Sequence, residues 1–293
     1  MGSLRSLWAG VTRFARCRLR LCARAPVRPF VNTRRERMKL AAIQLDTIAC
    51  EVNLNVHKAM KWGRRAFEEG AEMIFFHEGL TADYSPNPMR DGRSLDSSEV
   101  FGFSTLAKRY KGYIALGLNE VFQGRPYIST VFLGSKGVID VYRKSYLWPN
   151  WPESELLTYL QNYVPYKEGY RLERSVIAPG DGTKVTEVNG LRIGCIICAD
   201  GSRPEAWETF KKDKPDLIFW QNNRGNVIKR GDAQEHAKEL DTPMIVTNRC
   251  GFSYHHFQEG GTCMIANDGT VVVQANENGE EEIIYASLED LQV

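Results

Sequence analysis

Short, uninterrupted apolar runs recur along residues 38–293, and helical segments and hairpin turns separate them. Met73–Phe76 is one such run, and Leu191–Ile197 is another. Runs of this length without alternation are typical of strands that are buried on both faces of a sheet. This feature constrains the fold most, because a sheet buried on both faces needs a further layer on each side.

Helical segments and turns around these runs indicate how the strands are connected. Asn53 is positioned to cap a helix that ends at Gly70, and residues 231–240 form a later amphipathic helix. Two turn signals, Gly134–Gly137 and Asn267–Gly269, join strands directly. Strands followed by helices, mixed with hairpins, predict an α/β sandwich with mixed sheets. No linker rich in Pro, Gly or Ser interrupts residues 38–293, so we expect one domain there.

Composition excludes several classes of protein. The chain has 293 residues, of which 43% are hydrophobic and 25% charged, so most of it is expected to be ordered. No apolar run approaches the roughly 18 residues that a membrane span needs. Residues 38–293 carry 28 basic and 35 acidic side chains, a net charge of −7. That charge gives no reason to expect a nucleic-acid partner.

Residues 1–37 differ sharply from the rest of the chain. They contain ten Arg, no Lys and one acidic residue, Glu36. Such a composition is typical of a mitochondrial transit peptide, but Met38 is an equally plausible start of the native protein. We expect this extension to be poorly ordered. The seven cysteines show no disulfide framework, which favours a reducing compartment, so the expectation is a cytoplasmic protein, with a mitochondrial one as the alternative.

Three chemically active side chains follow the ends of predicted strands. Glu78 follows Met73–Phe76 with only His77 between them, Lys144 follows a strand that ends near Tyr142, and Cys198 ends a third strand. A carboxylate at the mouth of a buried strand is desolvated, which raises its pKa toward that of a general base. Cys198 precedes a turn and a helix, a context that presents a nucleophile next to backbone N–H groups. Each residue alone is better explained as a structural strand-end residue.

Metal and redox chemistry have less support. Cys195 and Cys198 form a C-x-x-C spacing, but residues three apart in a strand face opposite sides. The five histidines show no metal-binding spacing. A thiol redox protein built on these two cysteines therefore stays a minor alternative.

The chain resembles the nitrilase, or carbon–nitrogen hydrolase, superfamily in motifs that occur in matching order along residues 38–293. They are Ala41–Leu45, Phe75–Leu80, Val141–Ser145, Gly194–Asp200, Asp216–Phe219, Val246–Gly251 and Gly260–Ile265. The resemblance implies a four-layer α-β-β-α sandwich with two mixed sheets. It also implies a homo-oligomer and chemistry that needs no metal or organic cofactor.

The resemblance assigns roles to the strand-end residues. It implies that Glu78 is the general base, Lys144 the stabiliser of the oxyanion and Cys198 the nucleophile, with the N–H of Ala199 completing the oxyanion hole. A second family glutamate corresponds to Glu173, which precedes a Pro-Gly-Asp sequence by six residues. Other glutamates in the same irregular region are rivals for that role: Glu153, Glu155 and Glu168.

The substrate class is less constrained. Ala199 and Asp200 after the cysteine resemble amide- or carbamoyl-cleaving members, whereas nitrile-cleaving members tend to have Trp-Glu there. Trp148, Asn222 and Asn223 are candidate substrate contacts. The expected function is hydrolysis of a small non-peptide amide or N-carbamoyl compound, a small-molecule substrate, with release of ammonia or an amine. A nitrile-cleaving enzyme and a non-catalytic assembly protein on the same fold are the alternatives.

Overall fold

The computed structural model describes residues 37–85, 87–148, 176–224, 230–253 and 256–293, and these belong to one compact unit. The strands are β1 Lys39–Gln44, β2 Met73–Phe75, β3 Tyr113–Phe122, β4 Arg125–Gly134, β5 Gly137–Arg143, β6 Lys184–Val188, β7 Leu191–Ile197, β8 Leu217–Gln221, β9 Met244–Thr247, β10 Cys250–Ser253, β11 His256–Glu259, β12 Cys263–Ile265, β13 Val271–Gln274 and β14 Glu282–Ser287. The helices are α1 Val52–Glu68, α2 Pro88–Asp91, α3 Ser98–Tyr110, α4 Pro204–Asp213 and α5 Arg230–Leu240. Among these described helices, none has the length and apolar character that a membrane crossing requires.

The strands form two six-stranded sheets of mixed direction. The first sheet has the order β14-β1-β2-β3-β4-β5, and the second has the order β13-β12-β9-β8-β7-β6. In each sheet three neighbouring strands run parallel to one another, β1-β2-β3 in the first and β9-β8-β7 in the second. Each of the other strands is antiparallel to the strand next to it. A separate hairpin pairs β10 with β11. The predicted mixture of parallel and antiparallel pairing is therefore confirmed.

Three apolar clusters divide the protein into four layers. Side chains alternate along each strand, so Leu40 and Ala42 of β1 face the second sheet whereas Ala41 and Ile43 face helices. The inner cluster lies between the two sheets. One outer cluster packs α1 and α3 on the first sheet, and the other packs α4 and α5 on the second. The predicted four-layer α-β-β-α sandwich is confirmed.

Some local details differ from the sequence prediction. Helix α1 begins at Val52 with Glu51 at its N-cap, and Asn53 lies inside the first turn. The buried face of α1 explains this shift, because packing on the first sheet decides where the helix begins. Helix α3 was missed, although Ser97 caps it through its side chain and Val100, Phe103 and Ala107 recur at helical spacing.

The segment that follows β2 is held where the two sheets approach each other. The carbonyl oxygen of Phe76 accepts hydrogen bonds from Gln221 Nε2 at 2.9 Å and from Thr247 Oγ1 at 3.2 Å. Gly117 of β3 permits this approach, because a Cβ atom there would lie 1.9 Å from the carbonyl oxygen of His77. A side chain at Gly117 would therefore displace the backbone that precedes Glu78.

We expect Gly117→Ala to lower the free energy of unfolding by at least about 2 kcal/mol, because the added methyl group overlaps backbone that cannot move freely. Gly231→Ala is the matched control, since a Cβ atom there meets nothing within 4 Å and Ala favours a helix. Urea unfolding measures both. Equal stability of the two variants would contradict the close approach at Gly117.

Candidate active site

The centre of the candidate site is a buried ion pair between two strand ends of the first sheet. Glu78 lies three residues beyond β2, and Lys144 directly follows β5. Lys144 Nζ lies 2.7 Å from Glu78 Oε1, and both side chains are fully buried. Isolated charges are costly in a protein interior, so each of these groups stabilises the charged form of the other. The two side chains that the sequence analysis assigned to proton transfer and oxyanion stabilisation are thus in direct contact.

Cys198 lies at a sharp turn where β7 ends. Its φ is +45°, a left-handed conformation that is uncommon for any residue except glycine. A 3₁₀ helix, Cys198–Ser202, begins there and leads into α4. We call this 3₁₀ helix the Cys198 turn. The backbone of Cys198 is fixed because Trp220 Nε1 donates a hydrogen bond to its carbonyl oxygen at 3.1 Å. The predicted strand–turn–helix context of this half-buried cysteine is confirmed.

Asn222 connects the Cys198 turn with Glu78. Strands β7 and β8 are parallel, and Ile197 pairs with Gln221, so Asn222 lies next to Cys198 at the same end of the second sheet. The backbone N–H of Glu78 donates to the carbonyl oxygen of Asn222 at 3.2 Å. Neighbouring strands of a sheet lie only about 4.8 Å apart, so Asn222 is close to Cys198. Asn222 therefore brings Glu78, from the first sheet, close to the Cys198 turn of the second sheet.

Asn222 and Asn223 are both buried, and their side-chain oxygens have no hydrogen-bond partner among the described residues. The amide nitrogen of Asn222 donates to the carbonyl oxygen of Trp220 at 3.1 Å, and that of Asn223 donates to Asp83 Oδ1 at 2.7 Å. Both side-chain oxygens are therefore buried acceptors, and buried acceptors ordinarily have donors.

A buried arginine that the sequence analysis did not single out supports Asn223. Arg249 is fully buried and its guanidinium donates to Asp83 Oδ2 at 2.5 Å and to Asp46 Oδ1 at 2.9 Å. Asp83 thus links Arg249 to Asn223. The available signal was weak: Arg249 lies two residues beyond the end of the apolar strand β9, much as Lys144 lies just beyond β5.

Asp200 is a second residue whose role the sequence did not reveal. It is fully buried in the Cys198 turn and accepts hydrogen bonds from residues of both sheets. Next to it, Gly201 is required by close packing, because a Cβ atom there would lie 2.3 Å from the Trp220 ring. This contact leaves no room for a side chain at position 201.

His77 is adjacent to Glu78 but is buried in its neutral form. Burial lowers the pKa of His77 to about 3, because the charged imidazolium is poorly solvated there. Its Nδ1 lies 2.9 Å from the carbonyl oxygen of Glu78. A carbonyl oxygen can only accept, so the proton of the neutral ring is on Nδ1.

The other residues that the sequence singled out lie around this centre or outside the described residues. Ala199 follows Cys198 in the turn, and Trp148 is half-buried four residues beyond Lys144. Glu173 lies outside the described residues. Cys195 faces the interior between the sheets, where its Sγ donates to Thr130 Oγ1 at 3.4 Å and burial raises the pKa of its thiol. No disulfide links the described cysteines, and no group of three metal-ligating side chains occurs in the described part of the chain.

Comparison with known proteins identifies the family. The family model described as carbon-nitrogen hydrolase matches residues 39–292. The chain belongs to the carbon–nitrogen hydrolase family. The resemblance to the nitrilase superfamily that the motifs indicated is thus confirmed.

Relatives of this carbon–nitrogen hydrolase carry both amidase and nitrilase names. An (R)-stereoselective amidase from Pseudomonas sp. is 25% identical over 61% of this chain, and the aligned part spans 59% of that amidase. A nitrilase from Pyrococcus abyssi is 26% identical, with 86% of this chain and 90% of that protein covered.

Solved structures share the fold. A cysteine-to-alanine mutant of an amidase from Nesterenkonia AN1 superposes with a TM-score of 0.71 at 16% identity, covering 88% of this chain and 93% of that one. A further amidase structure from that organism, with a TM-score of 0.69 at 15% identity and coverages of 90% and 95%, carries the acetamide moiety of fluoroacetamide covalently added at its active-site cysteine.

The buried neutral state of His77 predicts a pH-dependent stability. The unfolded chain binds a proton at His77 near pH 6.5 and the folded protein only near pH 3, so stability falls as the pH drops between these values. We expect His77 to account for a loss of about 2 kcal/mol between pH 7 and pH 5.

Urea unfolding of the native protein and of His77→Asn at pH 7 and pH 5 measures this contribution. Asn retains a donor toward the carbonyl oxygen of Glu78 but does not titrate. The pH dependence of its stability should therefore be weaker by the stated amount, whatever the absolute stability of the variant. Identical pH dependence in the two proteins would contradict the assignment.

Proposed function

We propose that this carbon–nitrogen hydrolase is a thiol amidohydrolase that cleaves a small non-peptide amide or N-carbamoyl compound. The observation that carries the proposal is the buried Glu78–Lys144 ion pair beside the Cys198 turn. A carboxylate, an ammonium and a thiol at adjoining strand ends supply a base, a fixed positive charge and a nucleophile. The cysteine adduct of the Nesterenkonia amidase supports the same use of a cysteine.

In the proposed reaction, Glu78 takes the proton of the Cys198 thiol, and the thiolate attacks the carbonyl carbon of the substrate. The carbonyl oxygen becomes an anion. The Lys144 ammonium and the N–H of Ala199 stabilise that anion, an effect that is typically worth a few kcal/mol in the transition state.

Collapse of the tetrahedral intermediate breaks the carbon–nitrogen bond. Glu78 returns its proton to the leaving nitrogen, so ammonia or an amine departs and a thioester remains on Cys198. Glu78 then removes a proton from water, and the resulting hydroxide attacks the thioester. The carboxylic or carbamic acid leaves, and the thiol is restored by the proton on Glu78.

The two asparagines support an amide rather than a nitrile. The side-chain oxygens of Asn222 and Asn223 are buried acceptors that lack a donor among the described residues. An amide or carbamoyl NH₂ group offers two N–H donors, whereas a nitrile offers none. A nitrile would leave these acceptors unsatisfied, which costs binding energy.

Matched pairs of compounds test this preference. Propionamide with propionitrile, and benzamide with benzonitrile, differ only at the reacting carbon and nitrogen, so the rest of each molecule binds alike. N-carbamoylglycine extends the set to carbamoyl compounds. We expect ammonia release from the amide or carbamoyl compound to exceed that from the nitrile by at least about tenfold. Faster release from both nitriles would favour the nitrilase alternative.

Replacement of the cysteine tests the nucleophile. We expect Cys198→Ser to lower kcat by at least about 10³-fold, because an unactivated hydroxyl is a far weaker nucleophile than a thiolate. Cys195→Ser is the matched control and should stay within threefold of the native rate, since serine can retain the hydrogen bond to Thr130. Ammonia release from the preferred compound measures both variants.

Alkylation provides an independent readout. Brief treatment with iodoacetamide followed by peptide mass analysis should find Cys198 modified ahead of the buried cysteines. An equal loss of ammonia release in Cys198→Ser and Cys195→Ser would favour a mechanism that uses both thiols. Activity that persists in Cys198→Ser would contradict the proposal, and no hydrolysis of any compound by the native protein would favour an assembly role.

A further inference from the structure

One buried carboxylate joins the two sheets at the candidate active site. Asp200 Oδ1 accepts hydrogen bonds from the backbone N–H groups of Ser145 at 3.1 Å and Tyr146 at 2.8 Å. Its Oδ2 accepts from the N–H of Ile197 at 2.8 Å and from the hydroxyl of Tyr142 at 2.7 Å. All four described partners are donors, and four donors around two oxygens suit an ionised carboxylate.

The partners of Asp200 belong to two distant parts of the chain. Three of them lie in residues 142–146, which we call the Lys144 segment because they flank that lysine at the end of β5. The fourth, Ile197, directly precedes the Cys198 turn at the end of β7. Lys144 and Cys198 are 54 positions apart in the sequence and come from different sheets. Asp200 therefore fixes the Lys144 segment to the Cys198 turn.

The negative charge next to Lys144 moves during the proposed reaction. Lys144 forms an ion pair with Glu78, but Glu78 becomes neutral when it takes the thiol proton. The charge passes to the thiolate and then to the substrate oxyanion, so the ammonium has to be held where it faces that oxyanion. The pKa of Asp200 is raised, because burial outweighs the opposing effect of its hydrogen-bond donors and of the positive charge of Lys144.

We propose that Asp200 is a positioning residue for hydrolysis, which holds the Lys144 segment against the Cys198 turn so that the Lys144 ammonium faces the developing oxyanion. Tyr142 assists by donating its hydroxyl to the same carboxylate. Asp200 touches neither the substrate nor the thiol in this role and acts through Lys144. The proposal rests on the amidohydrolase function proposed above.

Two variants and a matched control separate this role from a general effect on folding. Asp200→Asn removes the charge and turns one acceptor oxygen into an NH₂ group that faces donors. Tyr142→Phe removes a single hydroxyl and leaves the three backbone hydrogen bonds to Asp200 in place. Asp140→Asn is the control: Asp140 also joins β5 to the second sheet, through Lys184 Nζ at 2.6 Å and Thr186 Oγ1 at 2.7 Å. It contacts no residue of the proposed machinery among its described partners.

The readouts are kcat and KM for the best compound of the panel, and the rate of Cys198 alkylation by iodoacetamide. Alkylation needs a thiolate but no oxyanion stabilisation. We therefore expect Asp200→Asn to lower kcat by at least about 100-fold, the effect of losing one oxyanion contact. KM and the alkylation rate should stay within about threefold. Tyr142→Phe should lower kcat about tenfold, again with little change in KM or in the alkylation rate. The kcat of Asp140→Asn should stay within twofold of the native value.

Several outcomes overturn the proposal. Native kcat in folded Asp200→Asn or in Tyr142→Phe would do so, as would parallel losses of turnover and alkylation, which indicate a purely structural role. If Asp200→Asn fails to fold, Tyr142→Phe decides by the same criteria. The amidohydrolase function fails separately, if Cys198→Ser stays active. If activity requires Cys198 but Asp200→Asn and Tyr142→Phe are both fully active, only the role of Asp200 is overturned.

Discussion

The buried contact between Lys144 Nζ and Glu78 Oε1 is the interaction on which the arrangement of the site depends. Neither charge is stable alone in the interior, because removal from water costs several kcal/mol per ion. The ends of β2 and β5 must therefore meet, although β3 and β4 lie between these strands in the sheet. Such a pair contributes little net stability, but it holds the proposed general base and the proposed oxyanion stabiliser at one place.

Cys198, the proposed nucleophile, lies at the end of a strand of the other sheet, so the packing between the sheets decides whether the candidate site forms. The inner apolar cluster sets the distance between the sheets, and polar contacts then fix the strand ends. Phe76, Asn222 and Asp200 each take part in a hydrogen bond that crosses from one sheet to the other. These contacts involve residues next to Glu78, Lys144 and Cys198, so the left-handed backbone of Cys198 is held from several directions.

The fold was largely predictable because its signals are local. A short apolar run predicts a strand buried on both faces, and Asn267–Gly269 predicts the hairpin between β12 and β13 that the structure contains. Helix α3 was missed despite its serine cap and helical spacing. The candidate site residues were conspicuous in the sequence, since each lies at or just beyond the end of a buried strand. The role of Glu173 stays a prediction, because its segment has no clear periodicity.

The sequence by itself determined the strands, the family and the three strand-end residues, since periodicity and motif order are properties of neighbouring positions. Only the tertiary structure decided that Glu78 and Lys144 are paired, that His77 is buried and neutral, and that Asp200 collects donors from two sheets. Arg249 and Asp83, which support Asn223, are 166 positions apart. Contacts of this kind depend on which strand ends lie side by side once the sheets have packed, and no local pattern specifies the partner.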